Sequence, residues 1–507
     1  MFSSVLSADV RGITGVPIFV ETDISDGLPG LTMVGYLTSA VREAADRVRT
    51  ALKNTGISIP PKKITINLSP ADTKKDGTGF DLAIAVSMMC SLGMFPKESI
   101  DGILFLGELG LNGDVKKIRG VLPMVEMAKE RGCRACVLPK ENLAEGKLAG
   151  EISCVGIENL KELLNRIIMG DYQDKSESMT VVRENEIPPD FSQIRGQEAV
   201  KQAAKLAAAG MLNLLMIGPP GSGKTMVARR ISTILPMMTK EESLEVTKIY
   251  SICGILPPNQ PLIQNRPFRA PHHNISIAAM VGGGKKPKPG EVSLSNYGCL
   301  FLDEITELPK NVLESLRQPL EDKVVQISRV DGTDIFPANF MLVAAMNPCK
   351  CGYYPDMNKC RCSTRDIGRY INKISMPFVD RMDICVEAPR VAFEELTGTK
   401  DGESSEKMRE EVICAHQMQE ERYKGSSYRF NSDVRGADIE EYFRVGKAQK
   451  KILEDAFENL NLTARSYHKI LKVARTAADL DCAKDIETGH ILQAICYRNV
   501  DRKFWAV

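Results

Sequence analysis

An apolar stretch from Met211 to Ile217 runs into Gly218-Pro219-Pro220-Gly221-Ser222-Gly223-Lys224-Thr225, and Met226 to Ile231 continues with helical spacing. Strand, glycine-rich loop and helix in that order make a cradle for phosphate. Glycines let successive backbone N–H groups turn toward phosphate oxygens at the positive end of a helix. Lys224 is placed to reach the β- and γ-phosphates of ATP, and Thr225 to ligate Mg²⁺. A chance glycine-rich turn would lack the flanking strand and helix. This loop commits the residues around it to an α/β architecture.

Two later apolar strands end in polar groups. Cys299 to Leu302 leads into Asp303-Glu304. Asp303 suits the outer shell of the Mg²⁺, and Glu304 suits a base that polarises the attacking water. The bland alternative is a strand end meeting solvent, which weakens downstream of a phosphate loop. Leu342 to Met346 ends at Asn347, which either positions the lytic water or is a turn asparagine before Pro348. Arg381 and Arg465 are candidates for contacting phosphate. A lone arginine is more often solvated or paired, so spacing establishes neither.

The chain has 507 residues, too many for one core, and domains of roughly 100–200 residues predict two to four. Residues 1–170 alternate helix and strand signals: a helix over Val34 to Asn54, a strand at Lys63 to Leu68, and a helix over Phe80 to Met89. A strand at Ile103 to Leu106, a helix over Arg119 to Gly132 and a strand at Ala135 to Leu138 follow. Residues 171–190 are polar with a double proline, a linker composition. Residues 191–390 hold the phosphate loop and its partner strands, and 391–507 read as helical, interrupted at Gly425-Ser426-Ser427. No run approaches the ~18–20 apolar residues of a membrane span. Met1 to Val20 lacks a basic start before an apolar run, so a cytoplasmic location is expected. The net charge of +1 excludes a globally basic nucleic-acid coat but leaves room for a local basic groove.

Four of the 14 cysteines cluster as Cys349-Lys350-Cys351 and Cys360-Arg361-Cys362. Four thiolates so close can surround one tetrahedral Zn²⁺, although the usual ribbon spacing is C-x₂-C. Lys350, Lys359 and Arg361 would lower the thiol pKa. Reduced cysteines in a loop and a redox disulfide remain the other two readings. A zinc here would be structural, bracing the loop that carries Asn347.

Taken with Arg266-Pro267-Phe268-Arg269-Ala270-Pro271-His272-His273, Pro289-Gly290-Glu291-Val292-Ser293-Leu294, Asn347-Pro348-Cys349 and Asp380-Arg381, these motifs resemble the Mg-chelatase-like branch of AAA+ ATPases. Within it, the bacterial YifB/ComM group is the nearest resemblance, along essentially the whole chain. The resemblance implies a P-loop AAA+ core with a C-terminal helical lid, preceded by a Lon-protease-like (ribosomal S5-like) α/β domain. It also implies a homo-oligomeric ring, a hexamer, with ATP at each subunit boundary. Asn347 then looks like sensor 1, Arg465 like sensor 2, and Arg381 like a finger reaching the neighbour's site. Two inserted hairpins are implied, one over about 270–290 and one over about 323–340 turning at Asp331-Gly332. In the first, Lys285, Lys286 and Lys288 on a glycine tip suit a loop that tracks a DNA backbone inside a ring pore. The bland reading is a solvated turn. His272 and His273 read as structural in preference to metal ligands.

The proteolytic relatives of the N-terminal domain carry a serine soon after Lys-Asp-Gly and a lysine in a later helix. Here Gly79 and Leu122 fall at those positions, and neither can do the chemistry. Thr78 is a conceivable substitute with no base evident beside it. Residues 1–170 are therefore expected to be a non-catalytic platform for DNA or subunit contact. The leading functional expectation is a ring motor driving branch migration of recombination intermediates. A chelatase-type subunit, remodelling a protein or driving metal insertion, is the alternative, and an ATP-dependent protease is disfavoured.

Overall fold

A computed structural model describes residues 1–173, 189–257, 260–329, 332–391, 393, 402–460 and 462–505. Most of the linker expected over 171–190, and Asp331 of the expected hairpin turn, lie outside these residues.

The first block is built on a seven-stranded mixed sheet. Phe2–Arg11 and Thr14–Ser25 pair antiparallel, and Lys63–Ser69 continues antiparallel beside the second with Gly30–Val34 parallel at its edge. On the other side, Ile103–Phe105, Ala135–Pro139 and Ser153–Ile157 follow in parallel. One face packs the helices Ala44–Asn54, Asp81–Ser91 and Leu160–Met169, and the other packs Val121–Glu130. One expectation is corrected, and one strand is added. Val34 ends a strand, because Gly35 takes φ +122° and turns the chain before the helices start at Ser39. Phe2–Arg11, absent from the sequence reading, is the central strand. Its buried face carries Ser3 and Ser7, so its alternation is not hydrophobic. Their hydroxyls are satisfied internally. Ser3 shares hydrogen bonds with Ser87 and Ser91 of the fully buried helix Asp81–Ser91, and Ser7 donates to the Phe105 carbonyl.

The second block holds five parallel strands in the order Phe268–Arg269, Cys299–Leu302, Met341–Met346, Leu214–Ile217 and Ile384–Glu387. Successive residues feed opposite cores. Leu214 and Met216 face the helices Glu198–Gly210 and Lys224–Ile234, while Leu215 and Ile217 face the hairpins and the segment 305–320. Two hairpins project from this block, Gly282–Gly283 with Lys288–Pro289, and Val324–Arg329 with Gly332–Pro337.

The C-terminal helices, among them Ser405–Arg422, Ala464–Leu480 and Thr488–Trp505, close over the first of these cores. Their polar centre is Asp479, which is fully buried. It accepts from Arg422 at 2.9 Å, Arg475 at 3.1 Å and Asn431 at 2.9 Å. Asp479→Ala would leave two guanidinium groups without their buried counter-ion. It should lower unfolding free energy by about 3–5 kcal/mol, read as a shift of the urea midpoint by circular dichroism.

Candidate active site

The sheet order brings the phosphate loop, the acidic pair and Asn347 to one edge. Met346 pairs with Ile217, and the Gly218 N–H donates to the Met346 carbonyl at 3.1 Å, so Asn347 starts beside the loop. Leu302 pairs with Ala344 on the far side of that strand, which delivers Asp303 to the same edge. Gly218 passes so near the 388 carbonyl that a Cβ would stand 2.1 Å from it. Gly221 and Gly223 take φ +76° and +88° with open space around them, so conformation alone demands glycine there.

Lys224 begins the helix Lys224–Ile234, and its side chain is folded onto the loop. Nζ donates to the carbonyls of Gly218 at 2.7 Å and Pro219 at 2.8 Å, with Asn347 Oδ1 at 3.4 Å. Burial pushes its ammonium down to about 8, opposed by the carboxylates of Asp303 and Glu304. Thr225 Oγ1 donates to Asp303 Oδ2 at 2.8 Å. A hydroxyl and a carboxylate oxygen side by side, next to a phosphate cradle, fit the oxygen-only, sparsely protein-ligated coordination of Mg²⁺. Glu304 sits directly after the strand in the left-handed region, φ +46°, with its side chain exposed. A non-glycine residue held there is uncommon, and such strain gathers at functional positions. It aims an exposed carboxylate outward beside Asp303 and Lys224.

Gln197 was not read from the sequence. It takes φ +60° at the start of the helix Glu198–Gly210, and its Nε2 donates to the Ser222 carbonyl at 2.9 Å and to the Pro389 carbonyl. Ile194-Arg195-Gly196-Gln197 ahead of a helix was the signal available. The cysteine loop also touches the cradle, since a Cβ on Gly352 would stand 2.4 Å from Pro220 Cδ. Cys349, Cys351, Cys360 and Cys362 bring their four sulfurs within 4.8 Å of one another, with Cys349 to Cys351 at 3.3 Å and Cys349 to Cys360 at 3.8 Å. A tetrahedron with metal–sulfur bonds of about 2.3 Å has sulfurs about 3.8 Å apart, so the set fits zinc. Burial opposes ionisation of Cys351, but backbone hydrogen bonds, first from Tyr353, hold its thiol below the ordinary range. Lys359, expected to assist, instead pairs with Asp356 at 3.2 Å. The rings of His272 and His273 lie 4.0 Å apart, tilted by 33°, and join no metal-spaced cluster among the described residues.

Arg381 and Arg465 stand apart from this edge. The Arg381 carbonyl accepts from Asn213 at 2.9 Å, at the opposite end of the strand Leu214–Ile217 from Gly218. At about 3.3 Å per residue, roughly 16 Å of strand separates the Arg381 backbone from its own phosphate loop. Its guanidinium turns to Glu321 at 2.6 Å. Arg465 is exposed in the first turn of Ala464–Leu480. Lys469, one turn on, reaches the Met382 carbonyl at 2.8 Å, so that helix starts at the Arg381 end of the sheet.

The three hairpin lysines are exposed on the side of the hairpin that faces the first block. Lys286 bridges to Asp9 at 3.0 Å, and Asp334 of the second hairpin accepts from the Gly12 N–H at 2.9 Å. In the first block, Leu122 is buried and Gly79 lies against Ile118. One expectation is overturned, because Thr78 does have a carboxylate beside it and donates to Glu108.

Because phosphate stabilises the charged ammonium, ATP affinity should fall as pH rises through about 8, approaching about tenfold per pH unit. Titration with a fluorescent ATP analogue across that range reads it. Lys224→Arg, whose guanidinium does not titrate there, should flatten the profile even where it weakens binding, and Lys224→Ala should lose binding throughout.

Three family models match in succession: subunit ChlI of Mg-chelatase over residues 20–142, magnesium chelatase subunit ChlI over 190–396, and its C-terminal part over 402–498. The uncharacterized protein YifB of Salmonella typhimurium is 39% identical over 492 residues, covering 97% of this chain and 96% of the relative. The competence protein ComM of Haemophilus influenzae is 38% identical over 509 residues, covering 98% and 97%. Phosphate loop, acidic pair, polar strand end and whole-length likeness agree: the chain belongs to the YifB/ComM family of Mg-chelatase-like AAA+ ATPases, which use ATP and Mg²⁺.

Proposed function

We propose that this ATPase works as a hexameric ring on DNA and drives branch migration of recombination intermediates. One observation carries the reading. The ATPase core extends two hairpins whose tips expose Lys285, Lys286, Lys288 and Arg329, charge that serves neither nucleotide binding nor hydrolysis. Likeness to a competence protein over nearly the whole chain supports DNA as what those tips meet.

In this reading Lys224 holds the terminal phosphates, and Thr225 and Asp303 hold the Mg²⁺. The metal, when bound, neutralises charge building on the transferred phosphoryl group. Glu304 accepts a proton from the attacking water, and Asn347 orients that water from beside Lys224. Arg381 and Arg465 sit toward the end of the sheet opposite their own phosphate loop, so both are assigned to the ATP of the adjoining subunit. A finger in that position is worth ~10³–10⁵ in rate in other systems. Residues 1–170 act as a non-catalytic platform, because the Thr78–Glu108 pair has no cationic partner at the Leu122 position. The four cysteines hold one structural zinc, which stiffens the loop bearing Asn347 and Gly352. A chelatase-type subunit is the second reading, favoured by the family models that match in all three segments.

Four-way and forked DNA should stimulate hydrolysis, and the protein should resolve labelled junctions. Failure of both favours the chelatase reading. Glu304→Gln should bind ATP and barely turn over, and normal hydrolysis by that variant would remove Glu304 from the role of base. Arg381→Ala should be inactive alone and partly rescued in rings mixed with Lys224→Ala subunits, which a role within one subunit does not allow. Purified protein should carry about one zinc per chain, lost in Cys349→Ser with Cys360→Ser. A content far below one excludes the metal.

A further inference from the structure

A cleft of about 920 Å³ lies between the first block and the two hairpins. Its walls come from separate parts of the chain. Arg11, Lys74, Lys117 and Arg119 face it from the first block, and Lys285, Lys286, Lys288 and Arg329 from the hairpins. Four carboxylates also line it, and each is engaged. Asp9 takes Lys286 and the Val10 N–H, Asp76 takes the Thr38 hydroxyl, Glu108 takes Thr78, and Asp334 takes the Gly12 N–H. Eight cations against four carboxylates leave the lining with a net charge of +4, and low-dielectric walls concentrate its field.

The pattern says what kind of anion fits. A site for one phosphate gathers its donors at a point, whereas these cations are spread over five stretches of chain on two opposing walls. An extended polyanion matches that spread. The volume falls within the range of small-molecule clefts, roughly 300–1,000 Å³, so a short run of one strand fits and a duplex does not. Among the described residues, Phe80 is the sole aromatic in the lining, and it is buried and offers no stacking surface. Recognition would therefore follow the backbone and not the bases.

We propose that this cleft is a groove for the sugar–phosphate backbone of a single nucleic-acid strand, gripped by the hairpins on one wall and the first block on the other. The proposal rests on the DNA-motor reading and extends it, since it gives residues 1–170 a share in holding the strand. The Lys286–Asp9 bridge is then a latch. Asp9 holds the lysine while the groove is empty, and an arriving phosphate competes for it. Hairpin movement during the ATPase cycle would shift the strand relative to the first-block wall.

Fluorescence anisotropy with a labelled oligothymidylate tests this on the full-length protein. Lys74→Glu with Lys117→Glu should weaken binding by at least about tenfold and reduce the dependence of log K on log salt, by about 0.7 for each phosphate no longer neutralised. Lys74→Arg with Lys117→Arg should retain wild-type affinity. Asp9→Asn should bind a few-fold tighter, a gain that misfolding does not produce. Wild-type binding left unchanged in both the charge-reversed and the Asp9 variants overturns the groove and leaves the motor reading standing. No binding by the wild-type protein overturns both. Displacement by polyglutamate as readily as by oligothymidylate at equal charge overturns the nucleic-acid assignment in favour of an acidic polypeptide.

Discussion

Parallel backbone pairing between Leu214–Ile217, Met341–Met346 and Cys299–Leu302 is the constraint on which the rest depends. Because the three strands run the same way and in register, their ends open at one edge. There the chain delivers Gly218, Asn347 and Asp303 within reach of one another without any of those side chains having to hold the others. The alternation that sends Leu214 and Met216 to one core and Leu215 and Ile217 to the other locks the register, since a slip of one residue would exchange the two cores. Packing that carries no chemistry thus fixes the geometry that does.

Around that edge the supports are loops, and each is tied by a different force. Gln197 hydrogen-bonds the Ser222 carbonyl, Gly352 lies in van der Waals contact with Pro220, and Thr225 shares its hydroxyl with Asp303. The cysteine cluster lies a few residues beyond Asn347 on the same chain. A change of state at those thiols therefore reaches both the strand end and the phosphate loop through bonded and packed atoms, with no long pathway needed.

Local chemistry explains how much could be read in advance. The phosphate loop, the acidic strand end and the apolar strands were legible because they are contiguous and their physics is short-range. The central strand Phe2–Arg11 was hidden because Ser3 and Ser7 flank Val5 on its buried face, and a buried serine such as Ser3 is marked only by its partners in a helix about eighty residues away. Gln197, the Thr78–Glu108 pair and the Lys286–Asp9 bridge are likewise products of tertiary contact. The spacing of the cysteines suggested a metal cluster, but the thiols do not share one shift: backbone N–H groups and the Cys349 and Cys360 thiols hold Cys351 down, while burial pushes Cys360 up.

The attachment of Arg381 has a mechanical consequence. Its guanidinium holds Glu321 and lies within hydrogen-bond reach of the Arg317 carbonyl, so it spans the short helix Arg317–Asp322 from end to end. That helix runs straight into the hairpin strand Val324–Arg329. The arginine is in effect a pin through the hairpin's root. If Arg381 serves an adjoining subunit as proposed, drawing it there would break its hold on Glu321 and pull on the lever that ends at Arg329.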